Sequence, residues 1–352
     1  MAAPIQRTAT PFDRSYSEII DVRSPAEFAL DHVPGAINLP SLSNEERAKV
    51  GTIYKQVNPF DARKIGAALV FANLSQHLEN HFLNKEKDYE PLVYCWRGGQ
   101  RSGSVATVLS MIGWRATLLD GGYKTYRKTV IEGLETLPAK FTFRIVGGKT
   151  GSAKTDVLKV LERQGEQVLD LEGLACHRGS LLGAMPGVDQ PSQKLFESMI
   201  CSKLRSFDES KVVWIESESS KIGKVFVPPA LIDAMLKSKY YDLRPNVDWR
   251  VDYLAESYAH LNVPDSQLPD LLLRLIGRHS RETVNSWLDL FEKGQWAEVV
   301  RLLLIEHYDP SYTTSTKKKF GDRTIPVKVP EGTIYSANSA VDLLLHYEQE
   351  SA

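Results

Sequence analysis

Cysteine is scarce in this sequence, charge of neither sign is in excess, and long apolar runs are missing. Only 3 of the 352 residues are cysteine, namely Cys95, Cys176 and Cys201. No two stand at C-x-x-C spacing, which excludes a zinc knuckle or a paired redox motif. Three unpaired thiols exclude a disulfide scaffold and fit a reducing compartment. Lys and Arg number 43 against 44 Asp and Glu, a formal net charge of -1. That balance excludes a generically basic nucleic-acid binder but leaves room for a local basic face. No stretch approaches the roughly 20 apolar residues that cross a bilayer, and the N-terminal residues carry no signal-like apolar run. A cytoplasmic protein without a membrane segment is expected. Hydrophobic residues at 42% and charged residues at 25% are ordinary for a globular chain, and the length suggests two domains.

What is present is an alternation of strands and helices, the pattern of parallel α/β sheets. Short apolar runs at Glu18–Val22, Ala36–Leu39, Pro91–Tyr94 and Ala116–Leu119 read as strands. Ser24-Pro25-Ala26-Glu27 reads as a capped helix start. Helices are expected over Asn44–Val57, Asp61–Phe82 and Arg101–Ile112. A second α/β half starts with a strand at Phe141–Val146 and continues with a helix over Lys154–Arg163, a strand over Gln167–Leu171, a helix over Ser192–Phe207 and a strand over Lys211–Ile215. From Leu231 to about Leu303 the pattern is helical. Thr313–Pro330 reads as a basic loop or hairpin, and Thr333–Tyr335 as a last strand before a C-terminal helix. The domains are expected at 1–130 and 141–352, with a linker at 131–140.

The sharpest chemical signal is Cys95-Trp96-Arg97-Gly98-Gly99-Gln100-Arg101-Ser102. A strand delivers a cysteine to a glycine-containing loop, and a helix begins at its far end. Backbone N–H groups and a helix N-terminus can converge there on one point, a setting that favours an anion and lowers a thiol's pKa. Cys95 is then the nucleophile, Arg97 and Arg101 add positive charge, and Trp96, Gly98, Gly99 and Gln100 complete the cradle. Alone, a cysteine at a strand end is more often structural; the flanking RGGQR favours chemistry.

The second signal is Gly148-Lys149-Thr150-Gly151-Ser152-Ala153-Lys154-Thr155, between a strand and a helix. This is the context of a phosphate-binding loop, with N–H groups around the phosphates, a lysine reaching them and a hydroxyl for magnesium. Ala153 stands where the pattern GxxxxGK[ST] has its last glycine, and at positive φ it would carry a strain that glycine avoids. Glu216 and Glu218 follow an apolar strand, where acids can serve magnesium or water. Glu172, His177 and Arg178 sit in the polar stretch DLEGLACHRGS after another strand, a candidate ligand position in an α/β sheet. No metal-ligand cluster is visible and no tightly bound cofactor is expected; magnesium could accompany a bound phosphate. Lys317, Lys318, Lys319 and Arg323 form the densest basic patch, and Arg274, Arg278 and Arg281 a second one. Either suits RNA phosphates or a solvated face.

Residues 12 to 130 resemble the rhodanese family. The likeness rests on DVRSPAEF (Asp21–Phe28), HVPGAINLP (His32–Pro40), the cysteine loop and LDGGY (Leu119–Tyr123), in that order. It implies that Cys95 carries sulfur or selenium, and that Asp21, Arg23 and Gly35 are structural. The loop from Cys95 to Arg101 is one residue longer than is usual in the family's sulfurtransferases. It has the C-x5-R length of cysteine-dependent phosphatases, which leaves room for a tetrahedral oxyanion. With GGYKTYR (Gly121–Arg127), GGKTGSAKT, DLEGLACHRGS and IESES, nearly the whole chain resembles the bacterial tRNA 2-selenouridine synthases. That resemblance implies a rhodanese-like parallel-sheet domain followed by a P-loop NTPase-like α/β domain with a helical C-terminal part. It implies a transferase that replaces sulfur by selenium in the wobble 2-thiouridine of tRNAs for Lys, Glu and Gln. Geranyl diphosphate first alkylates the sulfur, and selenophosphate supplies the selenium. The residues alone also admit a sulfurtransferase or cysteine-dependent phosphatase domain joined to an ATP-dependent kinase, and they leave the oligomeric state open.

Overall fold

The computed structural model describes residues 2–180, 182–263, 265–328 and 335–350, without the side chains of 313–318 and 350. The chain forms two compact units, Met1–Leu134 with Pro191–Ser202, and Glu135–Gln190 with Lys203–Ala352.

The first unit is built on a five-stranded sheet of β1 (Gln6–Thr8), β2 (Glu18–Asp21), β3 (Ile37–Asn38), β4 (Pro91–Tyr94) and β5 (Thr117–Leu119). Its order is β1-β5-β4-β2-β3, with every pairing parallel. β4 lies in the middle and its four residues are all buried, as expected of an uninterrupted apolar run in a parallel sheet. Ile20, Val22, Val93, Leu109, Trp114 and Leu118 belong to the core around it. The helix Pro25–Leu30 starts with a full capping box between Ser24 and Glu27 and has proline in its first turn. The helix Gln100–Ile112 ends at Gly113 in the left-handed conformation, φ +117°. β1 escapes the sequence pattern because its residues are polar and two of the three are exposed, as befits an edge strand.

The second unit carries β6 (Thr142–Gly148), β7 (Gln167–Leu169), β8 (Val212–Glu216), β9 (Lys221–Ile222), β10 (Val225–Phe226), β11 (Lys239–Leu243) and β12 (Thr324–Val327). Five of them form a parallel sheet in the order β12-β11-β6-β8-β7, and β9 and β10 make a small antiparallel pair. β6 is central, so the loop after it opens at the C-terminal edge of the sheet, where ligands of α/β proteins bind. A second, helical core gathers Val251, Leu254, Trp287, Trp296, Val299 and Leu303.

Four expectations differ from the structure. β11 interrupts the stretch read as helical, because Tyr240 and Tyr241 are both fully buried as neighbours of opposite faces in a central strand. The basic stretch Thr313–Pro330 is not a hairpin: a helix runs over Asp309–Phe320, a tight turn over Gly321–Arg323, and β12 pairs in parallel with β11. Residues 131–140 are the end of the helix Gly122–Thr136 and a 3-10 turn at Leu137–Lys140. Pro191–Ser202 lies in the first unit although the second unit surrounds it in sequence. Arg127 pairs there with Glu197 and donates to the Lys194 carbonyl at 3.1 Å. Most of the strand expected at Thr333–Tyr335 lies outside the described residues. Among the described residues, no helix is long and apolar enough to cross a membrane.

Candidate functional site

In the first unit, β4 ends at Tyr94 and places Cys95 at the mouth of the loop, with only 4% of its surface exposed. Gln100 opens the following helix, with Gly99 as its cap residue. Gly98, at φ +63°, passes so close to the LDGG turn that an added Cβ would lie 2.7 Å from the Leu119 carbonyl oxygen. Gly122, at φ +58°, faces the Cys95 carbonyl and the Gly98 nitrogen just as closely. The two motifs are therefore parts of one loop assembly, sealed by N–H bonds from Tyr123 to the Cys95 carbonyl (2.8 Å) and from Lys124 to the Trp96 carbonyl (3.1 Å).

Burial alone would raise the Cys95 pKa. The Ser102 hydroxyl and backbone N–H, the Arg101 charge and the Arg97 N–H outweigh it, and the thiol is held below its usual value. The Ser102 hydroxyl donates to Cys95 Sγ at 3.2 Å. Arg101 is mostly buried and donates to Glu27 Oε2 at 3.1 Å, so the acid that caps the helix Pro25–Leu30 also orients the arginine of the loop. Arg97, Gly99 and Gln100 are exposed. Trp96 is 39% exposed, and its ring stacks on Tyr123 with centroids 5.3 Å apart. A thiol of lowered pKa, a nearby guanidinium and N–H groups equip this loop to attack, and then carry, a group delivered by an oxyanion.

In the second unit, the loop 148–153 leads from β6 into the helix Lys154–Arg163. Ala153 adopts φ +57°, ψ +33°, the left-handed conformation of the glycine it replaces. Lys154 Nζ folds back to donate to the Gly148 carbonyl at 3.1 Å. Thr155 Oγ1 donates to Glu172 Oε2 at 3.0 Å. Gly151 is at φ +81°, and the buried Ser152 gives its carbonyl to Tyr335 Oη at 2.8 Å. Lys149 turns away to an ion pair with Asp309 at 2.9 Å, which also takes a two-pronged contact from the buried Arg250. Arg250 Nε donates to the Thr150 carbonyl at 2.8 Å, strapping the loop to the helical region.

A cavity of about 610 Å³ opens over this loop and reaches Glu172, Arg178, Glu218 and Lys319. Glu216 is fully buried and accepts the Glu172 N–H at 2.6 Å. Its carboxyl is pushed far up, first by burial and then by the charges of Asp170 and Glu172. Burial and the neighbouring Glu172 also push Glu218 up to about 8. Glu218 therefore holds its proton near neutrality, as a carboxyl crowded without enough counter-charge does. Arg178 reaches the Ser257 carbonyl at 3.0 Å and lies over the Tyr258 ring. His177 accepts the Gly179 N–H at 3.1 Å, and burial lowers its pKa. Beside the cavity lies a small apolar recess of about 30 Å³, floored by Leu254, Trp296, Val300, Leu303 and Leu304. Thr150, Leu254 and Tyr308 line both.

The basic candidates separate. Lys319 is exposed and lines the phosphate-loop cavity, and Arg323 is exposed and donates to the Lys319 carbonyl at 3.0 Å. The side chains of Lys317 and Lys318 lie outside the described residues. Arg274, Arg278 and Arg281 do not share one helix: the first two lie beyond Leu268–Leu273 and the third opens Arg281–Glu292. Sequence reasoning missed Arg250 and Asp309, because nothing local marks an arginine and an aspartate far apart in the chain as one strap. Among the described residues, no group of three or more His, Cys, Asp or Glu is arranged to hold a metal.

The first unit, with its parallel sheet and cysteine loop, is a rhodanese-like domain, and that family's model matches residues 6–129. A model for the tRNA 2-selenouridine synthase AAA domain matches residues 141–268. The tRNA 2-selenouridine synthase of Nitrosomonas europaea is 36% identical over 309 residues, covering 87% of this chain and 77% of the relative. That of Shewanella halifaxensis is 32% identical over 336 residues, covering 87% of this chain and 90% of the relative. The chain belongs to the tRNA 2-selenouridine synthase family and is an enzyme.

Proposed function

We propose that this enzyme replaces sulfur by selenium in the wobble 2-thiouridine of the tRNAs for Lys, Glu and Gln, through S-geranyl-2-thiouridine. In the first step the thione sulfur attacks C1 of geranyl diphosphate, and diphosphate leaves. In the second, selenium supplied by selenophosphate attacks C2 of the base, and the geranyl thiol leaves. Cys95 is the nucleophile: its sulfur attacks the phosphorus of selenophosphate, the P–Se bond breaks to release hydrogen selenide for the second step, and water then hydrolyses the phosphocysteine. The Cys95 cradle of Trp96 to Arg101 receives the tetrahedral donor, with the Arg101 guanidinium and the Arg97 N–H meeting its charge.

The observation that carries this reading is the Cys95 thiol, its pKa held below the usual value by Ser102 and Arg101 in a loop one residue longer than the usual sulfurtransferase loop. The second loop supports the diphosphate step. Gly148 to Thr155 form the phosphate cradle, and Lys154 is the cation that turns from the Gly148 carbonyl to the leaving group. A ten-carbon prenyl chain would lie in the cavity of about 610 Å³ itself, with Leu254 and Tyr308, which line both it and the small apolar recess, as hydrocarbon to bury against. Thr155 and Glu172 offer oxygen donors suited to magnesium, which would neutralise diphosphate charge. Glu218 and Arg178 line the cavity, with Glu216 behind them on the Glu172 N–H and His177 on the Gly179 N–H, and Lys317, Lys318, Lys319 and Arg323 are the candidates for RNA phosphates.

Nucleoside chromatography of bulk tRNA from a strain lacking the gene tests the reading. Loss of 2-selenouridine is expected, and an unchanged level overturns it. With purified protein, magnesium-dependent ATP hydrolysis without binding of geranyl diphosphate would instead favour the kinase alternative.

A further inference from the structure

Trp96 follows the nucleophile directly, yet its indole is 39% exposed, whereas its neighbour Cys95 is buried. This ring is also fixed in place. One face lies on Tyr123, with an interplanar angle of 29°. Tyr123 is itself buried, donates its hydroxyl to Asp31 Oδ2 at 2.7 Å, and carries the Arg23 guanidinium 4.0 Å from its ring centroid. Arg23 is 1% exposed and holds both carboxylate oxygens of Asp21. The stack from Arg23 through Tyr123 to Trp96 is thus anchored in the core, and its outermost plane is an indole at the rim of the cysteine loop. The Trp96 carbonyl is held as well, by the Lys124 N–H at 3.1 Å.

The surrounding charge says what such a plane suits. Arg101 is mostly buried and committed to Glu27. Arg97 and Lys124 are exposed, and among the described residues neither makes an ion pair within 4.0 Å. A flat, rigid aromatic surface in a loop assembly that also carries two exposed cations outside any ion pair matches a single-stranded nucleotide, whose base stacks while its flanking phosphates meet the cations. A purely apolar ligand would leave both cations without purpose.

We infer that Trp96 is the stacking platform for the target nucleobase and that Arg97 and Lys124 hold the phosphates beside it. The inference rests on the reading of RNA as substrate and assigns the residues that present the base to Cys95. Trp96 acts here as a positioning and specificity residue, in addition to its place in the loop.

The test uses the intact protein and an anticodon stem-loop RNA in which 4-thiouridine replaces the target uridine. After irradiation, the cross-linked residue is mapped by mass spectrometry, and an adduct on Trp96 is expected. Replacing Trp96 by Leu should weaken binding of the RNA roughly 5- to 150-fold, and Trp96→Phe should restore most of it. Arg97→Gln and Lys124→Gln should each lower the salt slope of binding by about one. A cross-link only outside residues 95–101, or a Trp96→Leu protein that binds the RNA as the parent does, overturns the platform while leaving RNA as substrate. A parent protein that binds no RNA overturns the reading beneath it. The cross-link is read on the unaltered protein, so a variant that misfolds does not remove the test.

Discussion

The Ser102 hydroxyl donates a hydrogen bond to the Cys95 sulfur across 3.2 Å, from the first turn of the helix that the cysteine loop leads into. Burial opposes ionisation of this thiol, and Ser102 heads the groups that reverse the effect, followed by Arg101 and the Arg97 N–H. A hydrogen bond to a charged group is worth about 1.5–3 kcal/mol. Ser102→Ala should therefore raise the Cys95 pKa. The pH profile of iodoacetamide alkylation at Cys95, read by peptide mass spectrometry, should move to higher pH. An unmoved profile would mean that Arg101 and the N–H groups suffice.

The two loops should fail separately. Lys154→Ala removes the cation of the phosphate loop, and a positioned group of this kind commonly contributes about 10²–10³ in rate. Geranylation of 2-thiouridine RNA should fall by that order, while release of selenide from selenophosphate at Cys95 persists. Cys95→Ser should abolish selenation and leave geranylation in place. Chromatography of the nucleosides from each reaction reads both steps. A Cys95→Ser protein that no longer geranylates would contradict the division of labour.

Much of this was legible in the chain. The strand before Cys95 is a continuous apolar run, and the helix after the phosphate loop has the bounds that its periodicity gives, Lys154–Arg163. The left-handed Ala153 could be anticipated from a motif that wants glycine there. Other features could not. β11 is KYYDL, with a charge at each flank and two tyrosines, and only its place between β6 and β12 buries both rings. The helix at Gln193–Arg205 shows its own amphipathic pattern, but nothing in that pattern names the partner that Arg127 supplies. Arg250 and Asp309 each look like ordinary helix-surface residues until the fold brings them to Lys149 and Thr150.

The crowded carboxyls predict a pH slope. Glu218 is raised to about 8, by burial and then by Glu172. A carboxyl whose folded pKa lies above its unfolded value binds more protons folded than unfolded between the two. Its contribution to stability is therefore fully present below the unfolded value, falls as pH rises between the two, and is gone above the folded value. Melting temperature should decline as pH climbs from about 5 past 8, by an amount that Glu218→Gln reduces. Differential scanning calorimetry across that range reads it. A Glu218→Gln protein with an unchanged slope would assign the effect to Glu216, whose carboxyl is also pushed far up.

Ala153 offers the last test, because its conformation separates loop strain from loop chemistry. A non-glycine residue at φ +57° costs about 1–2 kcal/mol relative to right-handed backbone. Glycine removes that cost but loses about 0.5–1 kcal/mol through the freer unfolded chain. Ala153→Gly should therefore stabilise the second unit by up to about 1 kcal/mol, a rise of roughly 2–4 °C in its melting temperature. The loop keeps its path in this variant, so binding of inorganic diphosphate should be retained. Ala153→Val should act in the opposite sense, because a β-branched side chain is still less tolerant of positive φ. If Ala153→Gly instead lowers the melting temperature, the strain is relieved by contacts of the buried Ala153 methyl that glycine lacks, and the alanine is there for packing.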